Sequence, residues 1–266
     1  MLAVCATPIG NLEDVTLRVL RELADADVVL CEDTRRTRIL LDRHGISARL
    51  LSYHEHNEAA RTAELLPRLH AGERMALVSD AGLPAVSDPG ARLVAAAVDA
   101  GVPVTVLPGP SAVETALVAS GLVGERYQFV GYLPRGDTAL GALWEELRGV
   151  PWPTVAFESP RRLPRTLRSL AAATPKRPVA VCRELTKQFE EIVRGPASDV
   201  SARFAEPPKG EITLVIGGGE AAVADEAAAL EAMSQLAALG VGRGRAAEVV
   251  ARLTGVPRNR LYRQSL

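Results

Sequence analysis

An α/β fold built on a largely parallel sheet is what this sequence predicts, and three observations predict it. Short apolar runs alternate with longer amphipathic segments from the first residues onward, the rhythm of repeated strand-helix units. Hydrophobic residues make up 47% of the 266 and charged residues 24%, enough apolar material for one large core or two modest ones. Loops rich in glycine and proline recur directly after the apolar runs, at the edge where open α/β sheets bind ligands.

The elements follow in order. Leu2 to Thr7 reads as the first strand, and Pro8-Ile9-Gly10-Asn11 leads into a helix whose apolar stripe is Val15, Leu17, Val19, Leu20 and Leu23. Asp27 to Cys31, Ala48 to Tyr53, Arg74 to Ser79 and Val102 to Leu107 are strands. They alternate with helices over Thr34 to His44, Glu58 to His70, Gly90 to Ala100 and Ser111 to Ser120. These units make one domain, residues 1–121, with a boundary in Gly121 to Tyr127. A second α/β domain, 122–219, carries strands at Gln128 to Tyr132, Thr154 to Glu158, Pro178 to Arg183 and Glu211 to Ile216. Its helices are Leu140 to Leu147 and Leu163 to Ala173, and it closes at Gly217-Gly218-Gly219. Residues 220–266 form a linker and a small helix-turn-helix-like tail: a helix over Asp225 to Leu239, a turn over Gly240 to Gly244 and a helix over Arg245 to Leu253.

Composition excludes several classes. A net charge of -1 leaves no global field for nucleic acid, so such a partner must be held by local basic patches. The tail is the strongest such patch, with six arginines against Glu248 between Val241 and Leu266. Aromatic residues are only 4%, so base-stacking platforms are scarce. Cys5, Cys31 and Cys182 are odd in number and sit in apolar runs, which fits buried free thiols in a reducing compartment. No run approaches the roughly 20 apolar residues that span a bilayer, and Met1 to Ala6 does not read as a signal peptide, so a cytoplasmic location is expected.

The motifs of P-loop nucleotide hydrolases, dinucleotide dehydrogenases and zincins are absent, and Gly109-Pro110-Ser111-Ala112-Val113 lacks the final glycine of a nucleophile elbow. What remains is three loops at strand ends: Thr7 to Asn11, Ser79 to Gly90 and Leu107 to Ala112. Glycine lets a backbone approach a ligand closely, and proline stiffens a loop without an N–H to satisfy. Twelve residues between one strand and its helix exceed what a mere connection needs.

The strings TPIGNLEDVT, CEDTRRT, SYHEHNE, VSDAGLPAVSDPG, LPGPSAVETAL, FVGYLPR, FESPRR, CRELTKQFEE and KGEITLVIGG stand in one order from about residue 2 to 219. Together they resemble the ribosomal RNA small subunit methyltransferase I family, a branch of the tetrapyrrole methylases. The resemblance implies two α/β domains with S-adenosyl-L-methionine in the cleft between them, and a homodimer. The activity it implies is methylation of the ribose 2'-hydroxyl of a cytidine, position 1402, in the 16S rRNA of the 30S subunit. Carried onto this sequence, the cofactor would be met by Pro8, Ile9, Gly10, Asn11, Ser79, Asp80, Ala81, Gly82, Ser111 and Ala112. From the second domain it would be met by Phe157, Glu184, Glu211, Ile212 and Thr213. A tetrapyrrole or other small-molecule methyltransferase on the same scaffold is disfavoured by the Arg-rich tail and by Ser79 to Gly82, where tetrapyrrole enzymes often carry a Gly-Asp-Pro type turn. A non-catalytic RNA-binding assembly factor is disfavoured by three intact cofactor loops.

Methyl transfer to oxygen is an in-line displacement, so positioning carries much of the rate. A base for the hydroxyl proton adds about 10²- to 10⁴-fold. Candidates for that proton chemistry are Glu32, Asp33 and Lys187, with His54 as a neutral imidazole. Glu32 and Asp33 in a purely structural role would cap a helix and form surface ion pairs. Lys187 stands out because Lys176, Lys187 and Lys209 are the only lysines beside 28 arginines. No metal is expected, because His54 and His56 lack a third ligand nearby. RNA contacts are expected from Arg35, Arg36 and Arg38, from Arg161, Arg162, Arg165 and Arg168 on one helix, and from tail arginines such as Arg245.

Overall fold

The computed structural model describes residues 1–219 and 226–264. Five strands, β1 (Leu2–Cys5), β2 (Val28–Cys31), β3 (Leu50–Ser52), β4 (Met75–Leu77) and β5 (Val104–Leu107), form an all-parallel sheet in the order β3-β2-β4-β1-β5. Helices α1 (Leu17–Asp25), α2 (Thr34–Arg43), α3 (Glu58–His70) and α4 (Ala91–Asp99) connect them. β1, β2 and β4 are buried along their whole length, as strands covered on both faces must be. One apolar layer joins Val4, Leu30, Leu65 and Leu77, and the opposite layer joins Ala3, Cys5, Leu23 and Leu41. Polar side chains cap the starts of two of these helices: the Thr16 hydroxyl accepts from the Val19 N–H and the Asp33 carboxylate from the Arg35 N–H.

The second sheet departs from the parallel expectation. β6 (Gln128–Tyr132) and β7 (Thr154–Glu158) are parallel, but β8 (Pro178–Arg183), β9 (Glu191–Pro196) and β10 (Ile212–Ile216) make the order β6-β7-β10-β8-β9 with antiparallel pairings throughout the rest. The seven residues from Glu184 to Glu190 between β8 and β9 are too few for the helical crossover that parallel strands require. β9 and the short α8 (Ala197–Arg203) lay outside the sequence reading, because Glu191-Ile-Val-Arg-Gly-Pro alternates weakly and ends in helix-breaking residues. Helices α6 (Asp137–Arg148) and α7 (Leu163–Ala173) cover one face. There Trp144 is buried and its indole N–H donates to Ser169 Oγ at 2.9 Å. Trp144→Ala should cost about 3–5 kcal/mol, read as a lower urea midpoint with unchanged slope.

Helix α5 (Ala112–Ser120) continues the strand-helix rhythm of the first half, yet it packs on the second sheet. Val113, Ala116 and Leu117 join Val155, Ala180, Cys182 and Val215 in one buried cluster. The core of the second sheet is thus completed by a helix from before the expected boundary at 121. All three cysteines are buried and free. Burial pushes the Cys5 thiol up to about 12 and the Cys182 thiol up to about 11, so both stay protonated and inert.

The tail consists of α9 (Glu226–Ala238), α10 (Arg243–Thr254) and α11 (Arg258–Gln264) around its own small core of Ala229, Met233, Ala246, Val250 and Leu261. Two of these helices were expected; α11 is short and Arg-rich, without a readable apolar period. Residues 220–225, which hold the expected linker and the first residue of its following helix, lie outside the described residues. No helix among the described residues is long and apolar enough to cross a membrane.

Candidate active-site cleft

Because β4, β1 and β5 are neighbours, the loops that leave their carboxyl ends lie side by side. Thr7 exchanges two backbone hydrogen bonds with Gly82, at 2.9 and 3.0 Å, and its hydroxyl donates to the Ser79 carbonyl at 3.0 Å. These loops form one wall of a cleft of about 790 Å³, within the range of small-molecule sites. The other wall comes from β6, β7, the turn after β8 and the start of β10.

Of the expected cofactor residues, Ile9, Asp80, Ala81, Gly82, Ser111 and Ala112 line this cleft from the first wall. Phe157, Glu211, Ile212 and Thr213 line it from the second. Pro8 and Ser79 line a small adjoining pocket instead. The floor is apolar and aromatic, with Phe129 and Phe157 edge to face at 5.0 Å between ring centres. Sequence reasoning did not single out Tyr127, Phe129, Tyr132, Glu114, Asp88 or Glu158 as site residues, although all six line the cleft. Their signal was positional: each lies in or beside one of the recognised strings, but nothing in a string says which side chain turns inward.

Gly10, Asn11, Glu184 and Lys187 have a different place: they form a clasp between the two halves. The Asn11 N–H donates to Thr186 Oγ1 at 3.1 Å. A Cβ on Gly10 would stand 2.5 Å from Lys187 Cγ and 2.7 Å from the Leu185 carbonyl, so only glycine lets the loops approach this closely. On the far side Lys187 Nζ bridges Glu184 at 2.9 Å and Glu211 at 3.0 Å. Burial alone would raise Glu184, but the Lys187 ammonium and the Glu211 N–H outweigh it and hold the carboxyl below its usual range. Burial likewise opposes the Lys187 charge, and the two carboxylates overcome it, holding the ammonium above its usual range. Both Glu184 and Thr186 take left-handed backbone, at φ 52° and 63°, conformations that persist only where surrounding contacts over-determine them. Lys187→Met should therefore return Glu184 toward or above the ordinary carboxylate range, which carboxyl-carbon NMR titration would record as a higher midpoint.

Glu32 and Asp33 join β2 to α2. Burial raises the Glu32 carboxyl, and the Asp80 charge adds to it. Asp33 caps α2 and holds Arg35 in a two-point pair, with contacts of 3.1 and 2.7 Å; the Arg35 hydrogen bonds pull it down to about 2. Arg36 pairs with Asp80 at 3.4 Å and lines the cleft. His54 is tied to Asn57 through its Nε2 at 3.2 Å, and His54 and His56 stand 5.9 Å apart ring to ring.

The expected row of arginines on one helix needs correction. Arg161 and Arg162 precede α7: the Ser159 carbonyl accepts from the Arg162 and Leu163 N–H groups to close a turn, Arg162 is the N-cap, and Pro164 sits in the helix's first turn, where a proline is favoured. Arg162 points inward: its guanidinium meets the fully buried Glu158 carboxylate at 2.5 Å and the Leu133 carbonyl at 3.1 Å. Glu158 also accepts from the Thr166 hydroxyl and the Ser159 N–H, both at 2.6 Å. Arg165 is paired with Asp137, whereas Arg161 and Arg168 are exposed. In the tail, Arg245 is exposed on α10.

The tetrapyrrole (corrin/porphyrin) methylase family model matches residues 1–201, and with the cleft between two sheets it defines the class of protein. The uroporphyrin-III C-methyltransferase of Thermus thermophilus, solved in complex with S-adenyl homocysteine, has this fold: TM-score 0.56 at 20% identity, covering 81% of this chain and 96% of that one. The ribosomal RNA small subunit methyltransferase I of Mesorhizobium japonicum is 45% identical over 100% of this chain and 91% of its own length. The Thermotoga maritima protein of the same name is 44% identical over 82% of this chain and 99% of its own. The chain belongs to the ribosomal RNA small subunit methyltransferase I family, within the tetrapyrrole methylases.

Proposed function

We propose that this protein transfers the methyl group of S-adenosyl-L-methionine to the 2'-hydroxyl of a cytidine of 16S rRNA, position 1402, in the cytoplasm and as a homodimer. The observation that carries this reading is identity of 45% along nearly whole chains with a protein named for small-subunit rRNA methylation, joined to a cleft of about 790 Å³ at the strand ends.

The cleft's residues suit that cofactor. Phe129, Phe157 and Ile212 offer an apolar slot for a purine, and Asp80 and Glu114 offer acceptors for ribose hydroxyls and a positive amino acid moiety. Glu114 is pushed up by burial, but hydrogen bonds from Ser111 and from Tyr127 at 2.5 Å outweigh this and keep it ionised. The cofactor supplies an electrophilic methyl on a sulfonium. The chain's own task is to hold the attacking oxygen in line with it, keep water out through the apolar floor, and receive one proton. Glu184 and Lys187 would act by closing the clasp beside the cofactor pocket, and Asp33 by fixing α2. RNA would be held by Arg36 at the cleft and by Arg35, Arg161, Arg165 and Arg245 on the exposed surface, with Arg162 buttressing the wall from within.

Incubation with methyl-tritiated S-adenosylmethionine and small ribosomal subunits lacking their own methylation should place label in 16S rRNA. Calorimetric binding of the cofactor without any label in RNA would turn the reading toward another substrate.

A further inference from the structure

The cleft contains five carboxylates, Asp80, Asp88, Glu114, Glu158 and Glu211, and four of them are engaged. Asp80 pairs with Arg36, Glu158 with Arg162, Glu211 with Lys187, and Glu114 accepts from Ser111 and Tyr127. Asp88 is in no ion pair among the described residues and has only the Ser79 hydroxyl against it, although it is half-buried in the cleft wall. Its loop is also held in rare backbone conformations. Ala85 and Ser87, neither of them glycine, have φ of 70° and 62°, strain of the kind that concentrates at functional sites.

Across the cleft from this loop lies the one irregularity in β6. The pairing of β6 with β7 shifts register between Phe129 and Tyr132, and Gly131 sits in this bulge at φ 68°. A bulge re-aims the side chain that follows it. Here it leaves the Tyr132 ring 65% exposed in the cleft while its edge rests on Phe157 at 5.6 Å. The two elements touch: a Cβ on Gly131 would lie 3.7 Å from Ser87 Oγ, one residue from Asp88. In a chain with so few aromatic residues, an exposed ring close enough to feel the charge of a carboxylate that has no cation is a specific arrangement.

We infer that Asp88 and Tyr132 form the subsite for the target nucleoside, with its base stacked on the Tyr132 ring and its attacking hydroxyl beside the Asp88 carboxylate. This rests on the methyl-transfer reading above. The nucleotide must leave its RNA stack to enter, and an aromatic face offsets part of that cost. In the step itself the hydroxyl oxygen forms a bond to the methyl carbon and the carbon–sulfur bond breaks, its electron pair returning to sulfur. The hydroxyl proton passes to Asp88. A sulfonium and a carboxylate thus become a neutral thioether and a neutral carboxylic acid. Burial pushes the Asp88 carboxyl up to about 6, the charges of Glu32 and Asp80 adding to it and the Ser79 hydroxyl offsetting part. The groups around it are thus Glu32 at the end of β2, Ser79 and Asp80 after β4 with Arg36 from α2, and Tyr132 on β6. A base of this strength is ionised at neutral pH and still able to take a proton.

The test is steady-state methyl transfer to small-subunit RNA by the full chain and its variants. Asp88→Asn should lower kcat by at least about 10²-fold and abolish a rise in wild-type activity centred near pH 6, with S-adenosylmethionine affinity within about twofold. Its Tm at pH 8 should equal or exceed that of the wild type, since a neutral amide bears no charge-burial cost there. Tyr132→Ala should raise KM for RNA by about tenfold or more with a smaller change in kcat, and Tyr132→Phe should restore it. An Asp88→Asn enzyme keeping more than a tenth of wild-type kcat, or a Tyr132→Ala enzyme with wild-type KM, overturns the assignment alone. Wild-type enzyme that moves no methyl to RNA overturns the functional reading and the assignment together.

Discussion

Arg162→Ala should cost about 3–5 kcal/mol of folding free energy, as much as removing the largest buried side chain. The Glu158 side chain is fully buried, and the Arg162 guanidinium is the cation that meets it, at 2.5 Å. Removing that cation strands a carboxylate between the cleft and the core under α7. The loss comes from the abandoned charge more than from the missing pair, so neutralising the partner should undo most of it. Glu158→Gln on the Arg162→Ala background carries no charge, and its amide can accept from the Ser159 N–H through Oε1 while its NH2 donates to the Thr166 hydroxyl. Chemical denaturation of the two single variants and the double variant measures this directly. The double variant should be more stable than Arg162→Ala by a clear margin. Equal stability of the two would mean the guanidinium acts through packing alone.

Gly10→Ala should be the most damaging one-carbon change to function. The new Cβ would come within 2.7 Å of the Leu185 carbonyl, a backbone atom of a turn already held in left-handed conformations on both sides. Neither loop yields cheaply, so the two walls of the cleft must part. Because the loop after β1 also carries Ile9 into the cleft, S-adenosylmethionine binding should weaken by about tenfold or more. Each sheet keeps its own buried layers, so far-ultraviolet circular dichroism should stay near wild type. Isothermal titration of the variant checks the affinity, and an unchanged Kd would show that the clasp does not shape the pocket.

The legible parts of this molecule were those with a local period. Strands such as Val28–Cys31 and helices such as Glu58–His70 announce themselves because one buried face or one continuous apolar run is written into adjacent residues. The antiparallel β9, the mixed order of the second sheet and the transfer of α5 onto it were not legible, since each depends on pairing between segments far apart in the chain. The site divides in the same way. The loops at the carboxyl ends of β1, β4 and β5 could be found from glycine, proline and length. Which side chains turn inward could not: Arg162 looked like a surface cation and proved to neutralise a buried carboxylate. Asp88 lay in a recognised loop, and only the folded arrangement, with Arg36 on Asp80 and Tyr132 near Asp88, distinguishes the two.

The most direct test of the central claim is alkaline hydrolysis of small-subunit rRNA labelled by this protein from methyl-tritiated S-adenosylmethionine. Hydrolysis needs a free 2'-hydroxyl, so a methylated ribose protects the adjoining phosphodiester. Label is expected in an alkali-resistant dinucleotide whose first nucleoside is cytidine. Label recovered in mononucleotides would place the methyl on a base and contradict it.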